Sequence, residues 1–189
     1  THLESYNFTS VLVDDQKQFW LGTDGKGLYV IDKLSEKVNH YALDPERFRS
    51  GRDVVSALCR DSKDNIWIGT NHGIYRYDPY GGGITEFDYV GDQKMSRLLK
   101  DNQVSAIDED EIGNMWCGTG FGLYSYSGRT IESFFAESGS KTSLVDDEIN
   151  ALMVDHEGWL AIGARKVVSV YKISQDQFFM LSNDGDQSK

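Results

Sequence analysis

Apolar and polar positions alternate along this chain in short runs, and the runs return four times in one register. The first run of each set has six residues: Phe8-Thr9-Ser10-Val11-Leu12-Val13, Val55-Ser56-Ala57-Leu58-Cys59-Arg60, Val104-Ser105-Ala106-Ile107-Asp108-Glu109 and Ile149-Asn150-Ala151-Leu152-Met153-Val154. A polar turn feeds a second run that is apolar at both odd and even positions: residues 19–23, 66–70, 115–119 and 160–164. A third run follows a tight turn, at 27–32, 73–78, 122–126 and 167–171, and a weaker fourth closes each set at 38–41, 84–89, 131–135 and 178–181. Period-two runs with connections of a few residues predict four-stranded antiparallel meanders. Their expected bounds are 8–41, 54–89, 103–135 and 148–181.

Fixed residues mark the same register. An Asp is followed eight positions later by a Gly at Asp14/Gly22, Asp61/Gly69, Asp110/Gly118 and Asp155/Gly163, and successive Asp positions lie 47, 49 and 45 residues apart. A period in that range predicts a propeller-type array of small sheets. The expected fold class is therefore all-β, a β-propeller that is partial or four-bladed, running as one array through residues 1–189 with four antiparallel strands per blade.

Segments such as Ile66-Trp67-Ile68 have no polar side, so both faces of each sheet must be covered, as they are when sheets stack around an axis. Trp stands two before the Gly in three units, at Trp20, Trp67 and Trp116, and is expected to anchor the packing. A buried Trp covers ~150–250 Å², or roughly 4–6 kcal/mol of gross transfer free energy. In the fourth unit that position is Ala161, while Trp159 lies two residues earlier on the same side of the strand and is expected to restore the bulk. The glycines are expected to let the neighbouring blade's Trp or backbone approach closely. Each repeated Asp is expected to accept hydrogen bonds from amides of the turn that follows it.

Composition narrows the function. Aromatics at 12%, 19 Gly and only 2 Pro suit an all-β chain with many tight turns. A net charge of −11 without any basic stripe argues against a nucleic-acid or anionic-membrane surface. No run reaches the 18 apolar residues of a membrane span, and a start at Thr1 without a signal peptide reads as an excised piece. Cys59 and Cys117 fall in strands of different blades and are expected to be buried free thiols.

Asn65-Ile66-Trp67-Ile68-Gly69-Thr70 followed by Gly73-Ile74-Tyr75-Arg76-Tyr77-Asp78 resembles the two-component regulator propeller repeat, and Asp110 through Tyr126 repeats its pattern. The first unit departs by one inserted residue before Gly27. The fourth departs most, with Ala161, Ala164 and Val167 for Trp, Thr and Gly. The resemblance covers nearly the whole chain. It implies the periplasmic sensor region of a hybrid two-component system of the Bacteroides type, detecting glycan fragments and controlling polysaccharide-utilisation genes. It also implies a partial propeller whose uncapped ends close into a four-blade ring or bury against another copy as a homodimer.

Catalytic and metal motifs are weak. His2, His40, His72 and His156 share no ligand spacing, and Asp108-Glu109-Asp110-Glu111 lacks the alternation of a calcium loop and reads as a solvated turn. No metal or cofactor is expected. Ser62-Lys63-Asp64-Asn65-Ile66-Trp67 resembles the Asp-box of sialidase-type propellers, itself a turn motif. A glycosidase needs two carboxylates facing each other at ~5–9.5 Å, and nothing in the chain picks out a pair. A non-catalytic binding module is thus expected, with a sialidase- or lactonase-type hydrolase or lyase, or a protein-interaction scaffold, as alternatives.

A ligand, expected to be an oligosaccharide, would meet the loops at the propeller mouth. The turns between second and third strands depart most from the repeat, at Asp24 and Lys26, Asn71 and His72, Phe121, and Arg165 and Lys166. They are expected to share one face with blade-to-blade links carrying Arg47, Arg49, Arg52, Arg97 and Lys100. The candidate ligand-binding residues are Asn71, His72, Phe121, Arg165, Lys166 and Arg52: an aromatic plane, planar polar groups, and cations able to engage an acidic sugar.

Overall fold

The structure, a computed structural model, describes residues 6–81, 83–89, 102–140, 142–165 and 167–180. They form four antiparallel four-stranded sheets, each a meander in chain order. The first holds β1 (Phe8–Val13), β2 (Gln18–Thr23), β3 (Leu28–Asp32) and β4 (Val38–Tyr41). The second holds β5 (Val55–Arg60), β6 (Ile66–Thr70), β7 (Gly73–Asp78) and β8 (Gly83–Glu86). The third holds β9 (Val104–Glu109), β10 (Met115–Thr119), β11 (Gly122–Tyr126) and β12 (Ile131–Phe134). The fourth holds β13 (Ile149–Val154), β14 (Trp159–Ala164), β15 (Val168–Lys172) and β16 (Gln177–Met180). The fourth strand of the second unit, expected to reach Tyr89, ends at Glu86, and beyond it the Phe87 ring packs on Trp67 at 5.1 Å between centroids.

The sheets are joined face to face by three contacts of one design. The first strands pack in series, β1 on β5, β5 on β9 and β9 on β13, and β2, β6 and β10 each reach the first strand of the next sheet. Trp20 is buried against Ile66 and Ile68, Trp67 against Met115 and Cys117, and Trp116 against Leu160 and Ile162. Each Trp therefore anchors its own sheet to the one that follows. Each first strand also carries a bulge at its second residue. The bulged hydroxyls of Thr9, Ser56 and Ser105 donate across to the backbone carbonyls of Val55, Val104 and Ile149.

The glycine of each second strand is where the next sheet comes closest; of the Trp or backbone expected there, the Val55 backbone carbonyl arrives at Gly22, 2.8 Å from where a Cβ would stand, no Trp arrives at any of them, and one side chain is common to the first three sheets. It is the first residue of the following sheet: a Cβ on Gly22 would lie 2.8 Å from Val55 Cγ1, on Gly69 3.0 Å from Val104 Cγ1, and on Gly118 2.5 Å from Ile149 Cγ2. Gly163, with no sheet beyond it, would meet only Ala151, at 3.6 Å. Gly118→Ala should therefore cost about 1–3 kcal/mol through overpacking, while Gly163→Ala in a lone chain should stay within about 0.5 kcal/mol. Urea unfolding midpoints of the two variants check the contrast, and equal losses would contradict it.

The arc is open. The fourth sheet makes no such packing against the first, so the expected closure into a four-blade ring does not occur. Val11 and Val13 at one end are 67% and 53% exposed, and Met153 at the other 60%. Trp159 lies on the same side of β14 as Ala161, since the two pair with Lys172 and Val170. Its ring packs on Phe179 and under Lys172 Nζ, 4.5 Å from the centroid, on the open side of the sheet. Trp159 thus stands on the side expected for it, and no described sheet packs against that side. Cys59 and Cys117 are free, buried and part of one core cluster between the second and third sheets, where burial pushes both thiols up to about 12.

Candidate functional site

Polar groups close the two ends of the arc differently. At the end where first strands turn into second strands, the repeated Asp is a hydrogen-bonding hub, buried at Asp61 and Asp110 and half-buried at Asp14 and Asp155. Asp110 Oδ1 accepts the backbone N–H groups of Ile112 (3.1 Å) and Asn114 (2.8 Å), while Oδ2 accepts Asn114 Nδ2 (2.9 Å) and Trp116 Nε1 (3.0 Å). Asp61 repeats this set with Lys63, Asn65 and Trp67, and Asp14 binds the Gln18 amide and Trp20 Nε1. Asp155 holds only the backbone amides of Glu157 and Trp159, with Ala161 where the indole would be, and those bonds keep its carboxyl below the usual carboxylate range.

The acidic run expected to be a solvated turn is part of this bonding. Glu109 accepts the Ser62 amide (2.6 Å) and hydroxyl (2.8 Å) from the second sheet, and Asp108 Oδ2 accepts the Val154 amide (2.8 Å) of the fourth. Arg60 bridges Asp15 and Asp64. An open hollow of about 610 Å³ lies along the first strands at this end, lined in part by Leu58, Arg60, Asp108 and Glu109. Its charged groups are occupied in holding neighbouring sheets together.

The opposite end carries the turns between second and third strands and the links between sheets. In each of the first three units a Thr builds the turn: Thr70 Oγ1 donates to the Gly73 carbonyl (2.9 Å) and accepts the His72 amide (3.1 Å), and Thr119 does the same with Gly122 and Phe121. Gly73 and Gly122 sit at φ 115°, a conformation that L side chains rarely adopt. Ala164 and Val167 make the fourth turn without either device, through a backbone bond of 2.9 Å.

The structure brings three of the six candidate residues together at the first link. Asn71 spans it, its Nδ2 donating to the Arg52 carbonyl (3.0 Å) and its Oδ1 lying 2.8 Å from His72 Nδ1. His72 is buried, so its imidazole faces the interior of the junction and not the mouth as expected. Its Nε2 lies 3.9 Å from Oδ1 of the fully buried Asp53, and neither atom has a hydrogen-bond partner among the described residues. Burial raises the Asp53 carboxyl and lowers His72, the latter with help from Arg47 and against Asp44, so a neutral imidazole is favoured beside the acid.

Arg52 is exposed on the same link, behind a helix α1 (Pro45–Arg49) that the sequence reading left as a polar connection. Asp44 caps it, accepting the Glu46 and Arg47 amides at 2.9 and 3.1 Å, and Pro45 occupies its first turn; Asp-Pro-Glu was the legible signal. The helix carries Arg47 and Arg49, and places Phe48 against His40 (5.0 Å) and under Lys26 Nζ (5.6 Å). Phe121 stands 65% exposed on the third sheet's turn. Arg165, on the fourth, pairs with Glu148 across an exposed contact. Lys166, Arg97 and Lys100 lie outside the described residues.

A second set of repeated residues went unread in the sequence. Asp53, Asn102 and Asp147 each stand two residues before a first strand and are buried or half-buried. The Asp53 carbonyl accepts the Gly27 amide (2.7 Å) and its Oδ2 the Leu43 amide (2.8 Å); Asp147 repeats this with Gly122 (2.8 Å) and Ala136 (2.7 Å). Asp53 and Asp147 latch their links to the preceding sheet, whereas the buried Asn102 Nδ2 has no hydrogen-bond partner among the described residues. Their shared distance from the strand start was the available signal, masked because the first unit has Tyr6 there. Among the described residues, no three His, Cys, Asp or Glu side chains gather into a metal site.

The repeat described as Two component regulator propeller matches residues 50–72. No curated protein matches the chain. Among solved structures, the extracellular domain of BT3049 from B. thetaiotaomicron, named as a hybrid two component system, is 26% identical over 93% of this chain and 23% of its own, with a TM-score of 0.70. That of BT4673 from the same organism, also so named, is 21% identical over 87% of this chain and 21% of its own, TM-score 0.71. Virginiamycin B lyase from Staphylococcus aureus is 15% identical over 88% of this chain and 53% of its own, TM-score 0.63, a likeness of fold alone. The chain spans about a fifth of the length of those two extracellular domains.

Proposed function

Because this chain is built from repeats of the two-component regulator propeller family, we propose that it is a non-catalytic, ligand-binding part of the extracytoplasmic sensor of a hybrid two-component system. The ligand is an oligosaccharide, and its binding controls genes for polysaccharide use. One observation carries the choice of face: Phe121 and Arg165 are exposed in successive turns at the end where the links also present Arg47, Arg49 and Arg52. The opposite end spends its charges on bonds between sheets. An exposed ring offers a plane to a sugar's apolar face, and guanidinium forks suit carboxylated or sulfated sugars.

A binding event becomes a signal only if the ligand prefers one of two arrangements, so the site has to span more than one sheet. Turns contributed by the second, third and fourth sheets meet that requirement. No helix among the described residues is long and apolar enough to cross a membrane, so a span needed by the intact sensor would come from another part of it.

Calorimetric titration of this chain with neutral and acidic oligosaccharides tests the reading. Binding of one acidic class is expected, weakened about tenfold or more, equivalent to ~1.4 kcal/mol, in Phe121→Ala and Arg165→Ala proteins. Unchanged affinity in both variants would remove these residues from the site. Binding of no oligosaccharide, or turnover of one, would remove the proposal itself.

A further inference from the structure

We propose that His72 and Asp53 form one proton-binding unit, a pH-responsive clasp between the turn of the second sheet and the first link. This does not depend on what the mouth binds.

The bonds of Asn71 fix which imidazole nitrogen takes part. Its Nδ2 donates to the Arg52 carbonyl (3.0 Å) and its Oδ1 accepts the Val54 amide (3.4 Å), so the oxygen is the atom that lies 2.8 Å from His72 Nδ1. An amide oxygen only accepts, and Nδ1 therefore carries the hydrogen. In the neutral ring Nε2 is then a bare lone pair, 3.9 Å from Asp53 Oδ1. The other carboxyl oxygen, Oδ2, already accepts the Leu43 amide (2.8 Å). Two buried acceptors thus lie side by side, each without a hydrogen-bond partner among the described residues. Leaving both unpaired in the interior is costly, and a single hydrogen placed between them satisfies both.

That hydrogen has two homes: a neutral carboxylic acid donating to Nε2, or an imidazolium donating to Oδ1. The two groups then titrate as a pair, with one shared uptake step. Burial raises the Asp53 carboxyl and lowers the His72 imidazole, so the step falls above the ordinary carboxylate range and below the ordinary imidazole value. Titratable and charged groups face the pair from each neighbouring element. Asp44 and Arg47, from the cap and body of α1, act on His72, while Asp44 and His40 of β4 act on Asp53. Tyr75 of β7 meets the imidazole edge-on at 5.7 Å, and burial pushes its hydroxyl up to about 12, which leaves it neutral throughout. At the second link the matching positions hold Asn102 and Phe121, so neither half of the pair titrates there. Acid and imidazole occur together at the first link.

Uptake of the proton brings Nε2 and Oδ1 to hydrogen-bond distance, ~2.8 Å, a movement of about 1 Å. Both halves are anchored, the turn by the Asn71 amide on the Val54 carbonyl (3.2 Å) and the link by the Gly27 amide on the Asp53 carbonyl (2.7 Å). The movement is therefore passed to the segment that carries α1 with Arg47 and Arg49. The pair also loses one negative charge beside those cations.

Nuclear magnetic resonance titration of the 189-residue chain, labelled with nitrogen-15 in His and carbon-13 in Asp, tests the clasp. Above the uptake step His72 should show a protonated Nδ1 and a bare Nε2. On acidification Nε2 and the Asp53 carboxyl carbon should shift with one common midpoint. Asp53→Asn keeps an acceptor for the Leu43 amide but removes the charge; it should lower the proton affinity of His72 about tenfold or more, one pH unit, with far-ultraviolet circular dichroism unchanged. Asn71→Ala releases Nδ1, and the neutral ring should then carry its hydrogen on Nε2. A neutral His72 protonated at Nε2 in the unaltered chain overturns the proposal. So do separate midpoints for the two groups, or a His72 midpoint that Asp53→Asn leaves in place.

Discussion

Trp116→Ala is expected to destabilise the chain by about 3–5 kcal/mol, a large share of the ~5–15 kcal/mol that holds a domain folded. The side chain is 3% exposed at the contact between third and fourth sheets, with ring centroids 5.7 Å from Phe134 and 5.5 Å from Tyr171. Removing the indole opens a cavity between rigid sheets that cannot collapse into it without giving up their own hydrogen bonds. Its Nε1–H also leaves Asp110 Oδ2, which keeps only Asn114 Nδ2. Trp116→Phe retains most of the apolar area and should lose about 1–2 kcal/mol. Trp159→Ala, on the open face, should lose less than Trp116→Ala by at least ~2 kcal/mol. Urea denaturation followed by circular dichroism separates the three, and a Trp116→Ala loss below that of Trp159→Ala would refute the assignment of anchors.

Asp110→Ala is expected to cost about 3–4 kcal/mol, nearly as much, although the side chain buries little apolar area. Its two oxygens accept four N–H groups, two of them from the Asn114 and Trp116 side chains, and each buried donor left unpaired costs about 1–3 kcal/mol. Asp110→Asn should recover little, since one of its two acceptors becomes an amino group facing donors. Asp155→Ala is the control. It loses only the two amides of an exposed turn and should cost about 1 kcal/mol. Thermal unfolding of the three proteins tests the ranking, and equal losses at Asp110 and Asp155 would mean that the bonds from the Asn114 and Trp116 side chains contribute nothing.

Much of this architecture could be read from the chain because a strand's side-chain period is a local property. The first strands, Phe8–Val13, Val55–Arg60, Val104–Glu109 and Ile149–Val154, fall where the alternation placed them, and Trp20, Trp67 and Trp116 stand at matching points of consecutive sheets. Helix α1 was missed because five residues are too few to show a 3.6-residue period. His72 and Phe121 occupy equivalent turns, yet one is buried and the other exposed. The difference comes from the groups the first link sets around His72, Asp53 beside it and Asp44 and Arg47 acting on its charge, which nothing in the turn itself encodes.

What the sequence determined by itself was the repeating unit: the strands, their order, the two apolar sides that demand neighbours, and the Asp, Trp and Gly at fixed offsets. Each follows from spacing along one polypeptide. Only the tertiary structure decided which neighbour each residue meets: that the Trp ring lies on the following sheet, that the glycine makes room for Val55, Val104 or Ile149, that Asp108 and Glu109 bind adjacent sheets, and that the arc stays open. Those outcomes depend on the angle between whole sheets, which is set by how many side chains fill each contact and is a sum over residues far apart in the chain.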